Sequence, residues 1–143
     1  MDYLPIGSIL RVSLKYNCDH SGIYLGYGNV AELDGSGKIM TRSFEDFIKG
    51  DRTVRNGKNI DVATDLSGSP LAKPIFAKRA IKSLCQIRDY ALDEENCHKF
   101  TAGCITGNFR TNTTFFSELE QIIRQDFSQK NNIMEKHWFR KLL

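Results

Sequence analysis

The chain has 143 residues, of which 41% are hydrophobic and 26% charged, and its formal net charge is +3. This length suits one folded domain, and the composition excludes a disordered or fibrous chain. The 20 basic residues are spread among 17 acidic ones without a basic run, so we expect no nucleic-acid partner. The N-terminus lacks signal-peptide features and no run of about 18 residues is apolar, so we expect a cytoplasmic protein with free thiols.

The first third of the chain alternates apolar and polar residues in the manner of β-strands. Strands are predicted at 9–16, 20–26, 29–33 and 38–41, separated by Gly- and Asn-containing turns. Ser43 is a favoured helix N-cap, two acids follow it, and Gly50 is a favoured terminator, so a short helix is predicted at 43–48. This part of the chain predicts an antiparallel meander followed by a helix.

The second part of the chain is predicted to be mainly helical. Segment 51–74 is rich in turn-forming residues around one weak strand, 60–63, and is interpreted as a surface loop, with a lid as the alternative. Apolar residues at three- and four-residue steps predict a long amphipathic helix over 76–91. Further helices are predicted at 96–107, between a favoured N-cap and a favoured C-terminal glycine, and at 113–127. The fold class is therefore α+β, an antiparallel β-meander packed against helices in one domain.

The C-terminal residues 111–143 are predicted to form a helical extension of this domain. Within it, segment 133–143 is basic and amphipathic. Such a segment either lies peripherally on an anionic membrane surface or docks back on the domain, and the sequence leaves both possibilities open.

Cys97 is the residue with the clearest chemical potential. It falls in the first turn of the helix predicted at 96–107, where unpaired backbone N–H groups and the helix dipole lower a thiol pKa and can hold an oxyanion. His20, on a predicted strand, offers an imidazole that could take the thiol proton. Cys85 and Cys104 sit among apolar residues at helical spacing and are predicted to be buried, inert thiols.

The two segments around these residues carry a recognisable pair of motifs. They read His20-Ser21-Gly22-Ile23-Tyr24-Leu25-Gly26 and Asn96-Cys97-His98-Lys99-Phe100. They resemble the lecithin:retinol acyltransferase-like family, a circularly permuted, papain-like group related to NlpC-type cysteine peptidases. That family has a His-x-x-Ile-Tyr-x-Gly strand motif before an Asn-Cys-Glu-His-Phe motif at a helix start. The resemblance covers residues 7–107 and implies a permuted papain-like fold.

The resemblance also implies a reaction. Cys97 would be the nucleophile and His20 the base of a two-step acyl transfer through a thioester, with a phospholipid or another lipid ester as acyl donor. Glu32 lies where the family has a second histidine or another polar residue, and a carboxylate there would orient His20. Simple hairpin registers do not place Glu32 opposite His20, so their contact requires a bulge or a strong twist.

Tyr90 matches a tyrosine ahead of the family cysteine, and it is assigned an auxiliary role together with Asn96. The chain departs from the family pattern at His98-Lys99, where the family has Glu-His. Any support that the family's pair gives to the site is therefore not implied for this chain.

Three other interpretations stay open. One is a metal site, for which suitable ligands are available in Cys18, His20, Cys97 and His98. Their spacing is not that of ordinary zinc modules. An NlpC-type peptidase or amidase would use the same acyl-enzyme chemistry on another leaving group. A non-catalytic binding module would retain the fold alone. The acyl-transfer interpretation itself requires no metal and no organic cofactor.

Overall fold

The computed structural model describes residues 4–14, 19–34, 36–50, 55–86, 96–111, 113, 115–127 and 139–141. The first four strands are β1 (Ile9–Leu14), β2 (Asp19–Gly26), β3 (Asn29–Leu33) and β4 (Ile39–Ser43). Each pairs antiparallel with the next, which confirms the predicted meander. Residues 15 and 16, predicted to continue the first strand, lie outside the described residues.

Segment 51–74 contains a long strand, β5 (Arg55–Ala63), which pairs antiparallel with β1. The strand predicted at 60–63 is therefore confirmed, but the surface loop predicted around it is wrong at 55–59. The first five residues of β5 are Arg, Asn, Gly, Lys and Asn, a composition typical of turns. Pairing with β1, rather than intrinsic propensity, decides the conformation here.

A short strand, β6 (Phe139–Lys141), lies antiparallel to β5 and completes a six-stranded sheet of order β4-β3-β2-β1-β5-β6. The predicted helical extension over 111–143 is therefore wrong at 139–141. Without β6, the outer edge of β5 at 61–63 would leave backbone N–H and C=O groups unpaired, and this favours an added strand over a helix. Residues 128–138 lie outside the described part of the chain.

Two helices follow the strands of the first half. Helix α1 (Phe44–Lys49) begins after Ser43, whose Oγ accepts a 3.1 Å hydrogen bond from the Asp46 backbone N–H, and Gly50 ends it, as predicted. Helix α2 (Pro74–Ser83) is shorter than the predicted 76–91. The backbone N–H of Cys85 donates to the Ile39 carbonyl at 3.0 Å, and this pairing with the start of β4 replaces further helical turns.

Cys85 is exposed and has a φ of 68°, so its predicted burial is wrong. Its position after the end of α2, rather than on the apolar stripe of a continuing helix, is the reason. Cys104 is fully buried in helix α3 (Asn96–Thr106), as predicted. Helix α4 (Phe116–Phe127) lies within the predicted 113–127 and buries Leu119 and Ile123.

The sheet has a hydrophobic core on each face. Helices α2, α3 and α4 pack on one face, where Phe76, Phe100 and Leu119 meet strand residues such as Ile23. On the other face, Phe47 of α1 packs with residues of β1, β2, β3 and β5. The architecture is thus α+β, an antiparallel sheet packed against helices. None of the helices within the described residues is both long and apolar enough to cross a bilayer.

Candidate active site

Cys97 is the second residue of α3, and only 2% of its surface is exposed. The helix begins at Asn96, as predicted, and Gly107 follows its last residue with a φ of 82°. The first turn of a helix has N–H groups without intrahelical partners. Cys97 therefore lies where backbone donors can face an oxyanion.

His20 and Glu32 meet in the interior of the protein. His20 Nε2 lies 2.6 Å from Glu32 Oε2, and the side chains are 5% and 0% exposed. The His20 ring also contacts the Phe47 ring, with 5.5 Å between centroids. The 2.6 Å contact between His20 and Glu32 confirms the expected approach of these two side chains.

A β-bulge in β2 brings these two side chains to the same face of the sheet. At the turn, Gly26 pairs with Asn29. If this register continued unchanged, Glu32 would lie on the face of the sheet opposite His20. Between Gly26 and Tyr24 the register shifts by one residue, and Tyr24 pairs with Val30. Glu32 then lies diagonally across from His20, within reach of its imidazole. Gly26, with a φ of 100°, supplies the backbone conformation at the bulge.

Arg42 of β4 binds the other oxygen of the same carboxylate. Its Nε lies 3.1 Å from Glu32 Oε1, and its side chain is 13% exposed. Each oxygen of the buried carboxylate thus has a nitrogen partner. Sequence reasoning missed Arg42, although its position two residues after Met40, the partner of Glu32 in the β3–β4 pairing, places it on the same face.

The electrostatics of the site favour a thiolate–imidazolium pair. Burial by itself lowers the pKa of His20, but the Cys97 thiolate and the Glu32 carboxylate raise it to about 9. Burial by itself raises the pKa of Cys97, yet hydrogen bonds and charge from His20 and His98 hold the pKa of the thiol well below its usual range. Because Nε2 of His20 binds Glu32, Nδ1 is the nitrogen left for the sulfur.

A second imidazole, His98, is also buried beside Cys97. His98 Nδ1 lies 2.8 Å from Ser21 Oγ, and Ser21 Oγ lies 2.8 Å from Thr101 Oγ1. The Thr101 hydroxyl donates to the Cys97 carbonyl at 3.0 Å, one turn back along α3. Ser21 and Thr101 were not identified from the sequence, because a hydroxyl in a strand or a helix carries no signal of its own.

Other predicted site features lie outside what the structure describes. This group comprises Tyr90, Cys18 and the side chain of Asn96. The auxiliary roles of Tyr90 and Asn96 and the four-ligand metal site therefore stay predictions. Within the described ranges, no group of three or more His, Cys, Asp or Glu residues is arranged to hold a metal ion. Neither a protein-family model nor a curated protein sequence matches the chain at a significant level.

Proposed function

We propose that this protein is a cysteine-dependent acyltransferase or hydrolase with a permuted papain-like fold of the lecithin:retinol acyltransferase type. The observation that carries the proposal is the buried relay in which His20 joins the Cys97 sulfur to the Glu32 carboxylate. A nucleophile, a base and a group that orients the base are the components of triad chemistry. The two sequence motifs contribute the resemblance to the family.

In the first half-reaction, the Cys97 thiolate attacks the carbonyl carbon of an ester. The carbonyl oxygen becomes an oxyanion, which the N–H groups of the first turn of α3 stabilise. As the carbon–oxygen bond to the leaving alcohol breaks, the His20 imidazolium gives its proton to the departing oxygen. The acyl group remains on Cys97 as a thioester.

In the second half-reaction, water or an amine attacks the thioester. One proton of the attacking group passes to a neutral imidazole beside the sulfur, the carbon–sulfur bond breaks, and Cys97 departs as a thiolate. Throughout the reaction, one oxygen of the Glu32 carboxylate contacts His20 and the other contacts Arg42. The charge of this carboxylate favours the imidazolium form of His20, on which the resting ion pair depends.

A phospholipid is the acyl donor that the family resemblance favours. The basic composition of 133–143 supports peripheral contact with an anionic lipid surface, although residues 139–141 belong to β6 rather than to an amphipathic helix. A cytoplasmic location is part of the same proposal, since the nucleophile must stay reduced.

The test offers the protein two classes of donor and identifies the products. Wild type and Cys97→Ala are incubated with vesicles of neutral or anionic phospholipid, and separately with small peptide amides, and the products are analysed by mass spectrometry. Release of fatty acid and lysophospholipid by the wild type alone supports the proposal. Cleavage of peptide amides alone would indicate an NlpC-type amidase. No product from either class, with a Cys97 that alkylates no faster than an ordinary thiol, would indicate a binding module.

A further inference from the structure

The hydrogen bonds around His98 have a direction that fixes where its proton lies. The Cys97 carbonyl can only accept, so the Thr101 hydroxyl uses its single proton on that 3.0 Å bond. Ser21 must then donate to Thr101 across 2.8 Å. With its proton so used, Ser21 accepts from His98 Nδ1, 2.8 Å away, and His98 Nδ1 therefore carries a proton.

This arrangement leaves Nε2 as the nitrogen that His98 presents to the sulfur. The His98 side chain hydrogen bonds Cys97, and Nδ1 is already engaged with Ser21. The ring is held in place, because the residue is 3% exposed and its centroid lies 5.4 Å from that of the Phe116 ring. Nε2 can donate to the sulfur while the sulfur is a thiolate. Once the sulfur is acylated and its charge is gone, neutral His98 keeps a lone pair on Nε2 beside the reacting atom.

The two imidazoles at Cys97 have different partners. His20 Nε2 binds a carboxylate, which favours the cation and suits the ring to donate a proton. His98 Nδ1 binds a hydroxyl, which fixes a tautomer without adding a negative charge. The partners therefore suit the two rings to different halves of the reaction.

We propose that His98 is a second acid–base residue, which accepts at Nε2 the proton of the group that attacks the acyl-Cys97 thioester. This inference rests on the proposed function. When water is the acceptor, its oxygen bonds to the acyl carbon while one proton moves to Nε2. The carbon–sulfur bond then breaks with its electron pair on sulfur, and the carboxylic acid leaves. The proton on His98 passes through the sulfur to His20, which gave its own proton to the first leaving group, and the resting state returns.

The test separates formation of the acyl-enzyme from its breakdown. p-Nitrophenyl acetate serves as the donor, the burst of nitrophenolate measures acylation, and the intact mass of the protein follows loss of the acetyl group. In His98→Asn the amide nitrogen replaces Nδ1 as donor to Ser21, but nothing replaces Nε2. Because His98 also helps to hold the pKa of Cys97 low, the burst should slow somewhat, but breakdown should slow much more, by about 100-fold or more, the usual scale of general base catalysis.

Two threonines of α3 provide a matched pair that leaves both imidazoles in place. Thr101→Val removes the last hydroxyl from the series of hydrogen bonds that begins at His98. Ser21 can then donate its proton to His98 Nδ1, which shifts the ring to the other tautomer. Thr106 also donates to the carbonyl one turn back, that of Ala102 at 2.9 Å, but has no part in the chain to His98. We expect slower breakdown with an intact burst in Thr101→Val, and wild-type kinetics in Thr106→Val.

The outcomes distinguish this inference from the proposed function. If the wild type is acetylated on Cys97 but His98→Asn loses the acetyl group at the wild-type rate, His98 has no role in breakdown and only the inference is overturned. An equal fall in burst and breakdown would limit His98 to stabilising the thiolate, and would overturn the inference as well. No acetyl adduct on the wild type would overturn both. If circular dichroism finds His98→Asn unfolded, the threonine pair decides.

Discussion

Glu32→Gln is the substitution that probes the relay most sharply, because it keeps the shape of the side chain and removes one acceptor. The carboxylate accepts from His20 Nε2 at 2.6 Å and faces Arg42 Nε at 3.1 Å. A glutamine has one acceptor and one donor at these positions. Whichever way the amide turns, one of the two contacts becomes donor against donor or reverses the His20 tautomer.

The expected loss of stability follows from the burial of the group. Removing one partner of a buried ion pair costs about 3–5 kcal/mol, because the remaining charge is left without compensation. The Arg42 side chain is 13% exposed and also lies 3.7 Å from Asp34, which offsets part of this cost. We expect the free energy of unfolding, measured by urea denaturation, to fall by about 2–4 kcal/mol.

The expected loss of reactivity follows from the lost charge. A hydrogen bond to a charged group contributes about 1.5–3 kcal/mol, which corresponds to about one to two pH units. Without the Glu32 charge the imidazolium form of His20 is weakened, so the Cys97 thiolate forms at higher pH. The midpoint of the pH dependence of iodoacetamide alkylation of Cys97 should rise by about that amount.

Asp126→Asn is the matched control for this acid-to-amide change. Asp126 pairs with Lys73 at 2.6 Å, and the two side chains are 26% and 42% exposed. A partly exposed pair of this kind contributes about 0–1 kcal/mol, so the control should change stability little and alkylation not at all. A Glu32→Gln protein with the wild-type alkylation midpoint and unfolding free energy would refute the role assigned to Glu32.

Two further predictions concern the ion pair and the bulge. Cys97→Ser removes the thiolate that raises the pKa of His20 to about 9, so the NMR titration midpoint of this ring should move down; an unchanged midpoint would contradict the ion pair. Gly26→Ala and Gly28→Ala place a side chain at φ values of 100° and 78°, and each should cost about 1–2 kcal/mol in urea unfolding. Only Gly26→Ala, at the bulge that aligns Glu32, should also slow alkylation of Cys97; equal alkylation in both variants would count against the bulge's role.

The local part of the site could be predicted from the sequence. A favoured N-cap and a C-terminal glycine place Cys97 in the first turn of a helix, and alternation places His20 on a strand. The contact between His20 and Glu32 was predicted only from the resemblance to the acyltransferase family. That prediction required a bulge or a strong twist to bring the two side chains together. The bulge depends on the backbone of Gly26, and no periodicity in side-chain polarity reports it.

The parts that were missed depend on tertiary pairing. Strand β5 has a turn-like composition in its first half, and β1 decides its conformation. Helix α2 stops because Cys85 pairs with Ile39, although the apolar spacing continues. Three residues acquire roles only when their elements are brought together in the fold. They are Arg42 of β4, Ser21 of β2 and Thr101 of α3. Patterns of polarity and spacing in one segment do not contain such contacts.

The central claim is that Cys97 forms a thioester with the help of His20. It is tested most directly by the intact mass of wild type, Cys97→Ala and His20→Ala after short incubation with mixed phospholipid vesicles and a short-chain ester. The account predicts an acyl adduct on the wild type that is absent from Cys97→Ala, sensitive to hydroxylamine as a thioester is, and strongly diminished in His20→Ala. An adduct that persists in Cys97→Ala, or a wild-type protein that acquires none, would contradict it.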